Sequence, residues 1–166
     1  MKKILLIIFS FVVHCSYSQV PHYWIESAGG TALDEGLDIS VDANNNTYTT
    51  GYFSGTATFN TTTVSSNGVF DIFISKTDTG GNYIWVQKAG GSNVDEGLSI
   101  KADSIGNVYV TGFFSGSATF GATTINSAGL QDMFVAKYNT NGVLQPAVAE
   151  LKMISGTELR LTETEM

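Results

Sequence analysis

The chain has 166 residues and is 43% hydrophobic, 11% aromatic and only 14% charged, against roughly a quarter charged in an average globular protein. Eight basic and 15 acidic residues give a formal charge of −7, which argues against a nucleic-acid surface, because phosphate contacts need clustered Lys and Arg. Eighteen glycines, with abundant Thr, Ser and Asn, suit strands and tight turns rather than helices.

The first 18 residues, MKKILLIIFSFVVHCSYS, carry Lys2 and Lys3 followed by an apolar run from Ile4 to Val13. That run is too short to span a bilayer, which needs about 20 residues, and it has the form of a secretory signal peptide. Small residues at Ser16 and Ser18 place the cleavage between Ser18 and Gln19. A competing outcome is a lipoprotein anchored through Cys15, but His14 stands where a small residue is expected. Cleavage at Ser18 leaves six basic and 15 acidic residues (−9) and no cysteine, so neither a disulfide framework nor a Cys-based zinc site is expected in the exported chain.

From Trp24 the chain repeats. Residues Trp24–Ile84 align without a gap on Trp85–Gln145, and 29 of the 61 positions are identical. A gapless period of this length marks duplication, giving repeat 1 at about 24–84 and repeat 2 at about 85–145. Within a unit the pattern alternates with period two: Leu98, Ile100 and Ala102 are expected on one face, and Ser99, Lys101 and Asp103 on the other. A turn follows at Asp103–Asn107, with Gly106 or Asn107 free to take positive φ. Further strands are predicted at Val108–Phe114, at Asp132–Tyr138 and, from the first junction, at Tyr83–Lys88 ending in Gly90-Gly91. Ala118–Phe120 and Thr123–Ile125 are short enough to form an extra hairpin, and helical periodicity is absent from Val20 to Leu144.

Four antiparallel strands every 61 residues predict an all-β fold of two tandem β-propeller-type blades, an incomplete propeller. The pattern DEGLxIxxDxxxNxYxTGxFSG followed by DxFxxKxxxxG resembles the secreted bacterial β-propeller repeat (SBBP repeat) family over about Trp24–Leu144. The resemblance implies blades on exported or cell-surface proteins, often within larger chains, and carries no catalytic motif. A third unit would start with Trp at position 146, where Pro146 stands instead. The tail 146–166 is therefore expected either to fray or form a weak helix, or to be a frameshifted or truncated third repeat of a larger gene. Two units leave apolar faces without neighbours, so marginal stability, association or aggregation is expected.

Candidate chemistry is sparse. Asp34-Glu35 and Asp95-Glu96 are adjacent carboxylates, the residue type of general acid–base sites. Their repetition instead predicts a structural role, the Asp capping a turn by accepting backbone N–H groups. Asp42, Asn44 and Asn46 match the D-x-N-x-N opening of a calcium loop, the one weak metal candidate. Ile105 breaks the pattern in repeat 2, and no Gly at the sixth or Glu at the twelfth position follows. His22 is the single histidine after the signal, and no G-x-S-x-G elbow occurs. The aromatics Trp24, Tyr52, Phe53, Trp85, Phe113 and Phe114 are expected in the core between blades, with a carbohydrate platform as the alternative. No catalytic residue and no cofactor follow from the sequence. The function expected is an exported, non-enzymatic binding or cell-surface structural module, partnered by other blades or repeat-containing chains, or by an extracellular protein or glycan. The alternative is a fragment of a larger secreted propeller protein, or the ancillary propeller region of a polysaccharide-active enzyme.

Overall fold

The computed structural model describes residues 24–146, together with strands at 151–155 and 158–161. The expected signal peptide, Cys15 and His22 lie outside the described residues. Every regular element among those described is a strand.

In chain order these are β1 (Ala28–Gly29), β2 (Asp34–Val41), β3 (Thr47–Phe53), β4 (Thr56–Phe59), β5 (Thr62–Ser65), β6 (Asp71–Thr77) and β7 (Tyr83–Gly91). Repeat 2 continues with β8 (Glu96–Ala102), β9 (Val108–Phe114), β10 (Ser117–Phe120), β11 (Thr123–Asn126) and β12 (Asp132–Tyr138). The tail adds β13 (Leu151–Ser155) and β14 (Glu158–Leu161), which pair antiparallel with each other. The tail is expected to fray, to form a weak helix or to be a frameshifted or truncated third repeat; its described residues form this hairpin.

The first unit is the antiparallel run β2-β3-β6-β7. The second repeats it as β8-β9-β12, with a single bridge from Tyr138 to Leu144 where a fourth strand would begin. The β4-β5 and β10-β11 hairpins form between the second and third strands of each unit. Each hairpin reaches back to the strand that precedes its own unit. β10 pairs with the tip of β7 (Ala89↔Phe120, Gly90↔Thr119), and β4 pairs with β1 in the same register (Ala28↔Phe59, Gly29↔Thr58). One continuous strand, β7, therefore belongs to the first sheet along Tyr83–Ala89 and clasps the second unit with its last residues. This architecture is all-β and propeller-like.

The two units stack face to face. Phe114, Phe120, Phe134, Ala136 and Ile100 of the second unit pack on Tyr48, Ile72 and Ile74 of the first in one buried cluster. The matching aromatic set of the first unit, Phe53, Phe59 and Phe73, forms a second cluster with Val64, Tyr83 and Val86. Polar side-chain contacts stitch the seam: Lys76 Nζ and Trp85 Nε1 donate to the Thr140 carbonyl (3.2 and 3.0 Å), and Tyr48 Oη lies 3.2 Å from the Gly106 carbonyl oxygen.

Duplication makes the outer faces legible by comparison. Tyr48, Ile72 and Ile74 are fully buried, whereas their repeat mates Tyr109, Met133 and Val135 are 43%, 74% and 68% exposed. On the opposite side Ile100 is 3% exposed and its mate Ile39 62%. The seam has one copy, and each of its two surfaces recurs uncovered by any described residue at an end of the stack.

One expected alternation fails. Leu98 was assigned to the core face with Ile100, yet it is exposed. The ladder pairs Gly97 with Gly112 and Ser99 with Thr111, leaving Leu98 as the extra residue of a β-bulge. The same shift occurs between Gly36 and Asp38. A bulge adds one residue and reverses the facing of everything before it. Gly97 sits at that point because the first unit approaches closely: a Cβ there would lie 2.3 Å from Thr50 Oγ1 and 2.9 Å from Ile72 Cγ2.

Candidate functional site

The repeated acids are used in three arrangements. The first is the corner between units. Asp95 is fully buried; its Oδ2 accepts from Gly91 N (2.7 Å) and its Oδ1 from Ser115 N (3.0 Å). Asp34 repeats the first bond, accepting from Gly30 N at 2.7 Å. Asp71, also fully buried, flanks Gly90 together with Asp95: a Cβ on Gly90 would meet Asp71 Cγ at 2.9 Å and Asp95 Oδ2 at 3.0 Å. Asp71 Oδ2 accepts from Asn67 N (3.1 Å) and lies 4.0 Å from Lys88 Nζ, while Oδ1 has no partner among the described residues. Burial raises the carboxyl pKa of both acids, and for Asp71 the hydrogen bonds and Lys88 only partly offset it.

The second arrangement is the glutamates. Glu35 accepts a short hydrogen bond from Tyr52 Oη, which pushes the Tyr52 hydroxyl up to about 12. Glu96 is raised by burial first and by the negative charge of Glu35 second. The fold thus brings the two repeated glutamates within electrostatic reach of each other at one end of the seam. The phenol beside them is held protonated at neutral pH, so it is a hydrogen-bond donor and not a base.

The third is the hairpin turns. Asp42 Oδ1 accepts from Asn44 N (2.8 Å) and Asn46 N (3.0 Å), and Oδ2 from Asn46 Nδ2 (2.8 Å) and Tyr48 Oη (3.0 Å). Asp103 accepts from Ile105 N, Asn107 N and Asn107 Nδ2 in the same way. Asp78 repeats the pattern with Gly80 and Asn82. Asn45 and Gly106 occupy one repeat position, with φ of 60° and 86°; this left-handed corner is open to Asn or Gly at little cost. Burial would raise Asp42, but the donors from Asn46, Tyr48 and Asn44 together hold it below the usual range. Both oxygens of the calcium candidate Asp42 are therefore engaged by protein donors, and a cation there would have to displace them. The oxygens of Asn44 and Asn46 have no part in these bonds. Among the described residues no three His, Cys, Asp or Glu side chains converge as a metal site.

The aromatics divide. Phe53 and Phe114 are buried in separate clusters, and Trp85 packs half-buried against the inter-unit core. The Tyr52 ring packs tilted, at 55°, against Phe70 with centroids 4.8 Å apart. A cavity of about 440 Å³ runs along β12, lined by Phe120, Ile125, Phe134, Ala136, Leu144 and Pro146 among others. Sequence reasoning missed it, although the signal was present: this is where the fourth strand of repeat 2 would lie, and the repeat breaks at Pro146.

No family model matches this chain. It is similar to an uncharacterized WD repeat-containing protein of Acanthamoeba polyphaga mimivirus, with 26% identity over 153 residues, covering 74% of this chain and 11% of that protein. The chain thus spans about a tenth of the length of the curated relative it matches. WD repeats build β-propeller blades of four strands. The strand order, the recurrence of the seam's surfaces in both units and this similarity agree: the chain is an all-β, propeller-like repeat protein.

Proposed function

We propose that this chain is an exported, non-enzymatic module of a propeller-type assembly, acting at the cell surface or outside the cell by presenting β-sheet faces to further repeat units. The observation that carries this reading is the seam itself. The acids that looked like chemistry are turned inward on backbone N–H groups at repeated positions, while the seam-forming surfaces recur uncovered by described residues at both ends of the stack. A repeat unit buries its apolar face only against a neighbour, so the exposed Met133 and Val135 face is suited to binding a sheet of like chemistry. Export is supported by the Lys2-Lys3 start and the short apolar run.

Expression of the full gene in a bacterial host, followed by N-terminal sequencing of the culture medium and a protease-shaving assay on whole cells, tests the compartment. The expected product begins at Gln19 outside the cytoplasm. A product retained in the cytoplasm with Met1 intact would overturn export, and turnover of polysaccharide by the purified chain would overturn the non-enzymatic assignment.

A further inference from the structure

The segment Trp24–Gly30, of which Ala28–Gly29 is strand β1, stands at the repeat position of a fourth strand but is not part of a four-stranded sheet. By the 61-residue period it corresponds to Trp85–Gly91 of β7, and it repeats part of what β7 does with the unit that follows, without the third pair of the β7–β10 ladder or the Trp85 Nε1–Thr140 hydrogen bond. Ala28 and Gly29 clasp β4 as Ala89 and Gly90 clasp β10. Gly30 N donates to Asp34 as Gly91 N donates to Asp95, both at 2.7 Å. The Trp24 ring lies over Gly81 as the Trp85 ring lies over Gly142, each with Cδ2 2.8 Å from where a Cβ would stand. What Trp24–Ser27 lacks, among the described residues, is the ladder that β7 makes with β6. Ile25 is 93% exposed, whereas its mate Val86 packs on Phe59 and Phe73.

The second unit has the complementary gap. β12 pairs with β9 on one side. On the other, Leu144 bridges Tyr138 and Gln145 N donates to the Lys137 carbonyl (2.7 Å), and then Pro146, which has no N–H, stands where Trp85 stands in β7. The 440 Å³ apolar cavity begins at that point.

Resting on the repeat-module reading above, we infer that copies of this chain join head to tail, the Trp24–Gly30 segment of one copy adding to the free edge of β12 in the next. The register follows from β6–β7, where Ser75 faces Val86, Lys76 faces Trp85 and Ile72 faces Ala89. Shifted by one period, Ile25 of a second copy lies opposite Ala136, Trp24 opposite Lys137 and Ala28 opposite Met133. Ile25 then enters the cavity between Phe120, Ile125 and Phe134, as Val86 sits between Phe59, Val64 and Phe73. The same approach brings Ile39 and Val41 of the second copy over Met133 and Val135, so both exposed ends of the stack are covered at once. The contact is heterologous and continues until a ring closes or a chain grows. Closed propellers hold about 4–8 blades, so about two to four copies would complete one.

The test is a disulfide trap in the full chain carrying Cys15→Ser. Residues directly opposite on antiparallel strands are within disulfide reach. Ile25→Cys mixed with Ala136→Cys is expected to give an intermolecular disulfide under mild oxidation, and Ile25→Cys mixed with Val135→Cys, on the other face of the strand, is not. Ile25→Asp is expected to raise the dissociation constant seen in sedimentation about tenfold or more, by placing a charge in the apolar slot. The internal pair Ser75→Cys/Val86→Cys reports the unit itself. If that pair bonds while Ile25→Cys and Ala136→Cys do not, head-to-tail joining is overturned and the repeat module stands. If the internal pair also fails, the module reading falls with it. A bond within one chain between Ala136→Cys and Ala147→Cys would assign the slot to the chain's own continuation and likewise overturn the proposal.

Discussion

Ile72 and Met133 occupy the same position in the two repeats, and the structure assigns them opposite costs. Ile72 is fully buried in the seam, in contact range of Gly97 at the bulge of β8, whereas Met133 is 74% exposed. Truncating a buried Ile to Ala removes three carbons from a packed interface and leaves a cavity, which costs about 2–5 kcal/mol. The backbone of Gly97 is held by the bulge and by its ladder to Gly112, so it is poorly placed to collapse into the space, and the upper half of that range is expected. Met133→Ala removes side chain that water already reaches, so a change within about 0.5 kcal/mol is expected. Equilibrium urea unfolding followed by Trp24 and Trp85 fluorescence measures both variants. Dilute protein keeps any association from covering Met133. The expected difference between the variants is at least about 2 kcal/mol, or roughly 6 °C or more in Tm for a folded region of this size. Equal losses at the two positions would refute the inference that one face of the seam motif is covered and its duplicate open. An Ile72→Ala loss below about 1 kcal/mol would show that the two units do not pack as described.

Three further outcomes concern one glycine corner and two carboxylates. Gly142→Ala places a Cβ 2.8 Å from Trp85 Cδ2 at a φ of 76°, so a loss of about 1–3 kcal/mol with a shifted Trp85 emission spectrum is expected; an unchanged spectrum would show that the ring does not lie there. Asp38 is held below the usual carboxylate range, first by the Ser99 hydroxyl and then by Ile100 N. Its contribution is therefore complete above its unfolded value of about 3.9 and is lost as pH falls through the lower folded value, so the destabilisation by Asp38→Asn should shrink in urea melts run at progressively lower pH; a deficit that grows on acidification would contradict this. Asp95 has the reverse sign: burial raises it, the folded state binds the proton more tightly, and its charge weighs against folding once pH exceeds the unfolded value. Asp95→Asn should thus compare more favourably with wild type at pH 7 than below pH 4, and a pH-independent difference would remove the buried charge from the account.

The sequence displays most of the strands because each is an alternating or β-branched run bounded by turn residues. Val108–Phe114 and Asp132–Tyr138 match their predicted limits, and the Ala118–Phe120 and Thr123–Ile125 hairpin is present. What stays hidden is anything set by a neighbour. Leu98 reads as a core residue in a period-two pattern, and only the ladder to β9 reveals the bulge that turns it outward. Tyr109 and Tyr48 are identical letters at one repeat position, yet one is exposed and the other buried, because burial here belongs to the stack and not to the unit. The acids were legible in part. Repetition marks Asp34 and Asp95 as structural, and both accept backbone N–H groups; Asp42, which reads as a weak calcium candidate, and its repeat mate Asp103 accept backbone N–H groups as well. Asp71 beside Asp95 was not legible as a buried pair, since 24 residues separate them and nothing local distinguishes Asp71 from an exposed strand-start acid.

The positions where the repeats differ explain how unpaired strand edges are kept from open-ended pairing inside the stack. β2 and β8 are neighbouring edge strands, and exposed edges invite uncontrolled pairing. Asp38 serves both. Its Oδ1 accepts from Ile39 N of its own strand (2.8 Å), and its Oδ2 accepts from Ile100 N (2.8 Å) and the Ser99 hydroxyl (2.7 Å) across the seam. Ser40 Oγ accepts from Ala102 N (3.0 Å) one step further along. Two side chains of β2 thus occupy donors that β8 would otherwise offer to another strand. Repeat 2 holds Ser99 and Lys101 at these positions, and a lysine has no lone pair with which to accept. The capping therefore has a direction, from the first unit to the second. Because Asp38 already satisfies Ile39 N, the first unit can present that edge to another second unit without needing an acceptor in return. β12 is the opposite case: beyond Leu144 and Gln145, no described side chain caps its outer donors. A fold that caps its inner edges and leaves one outer edge open beside an apolar slot is fitted to accept a strand in one register.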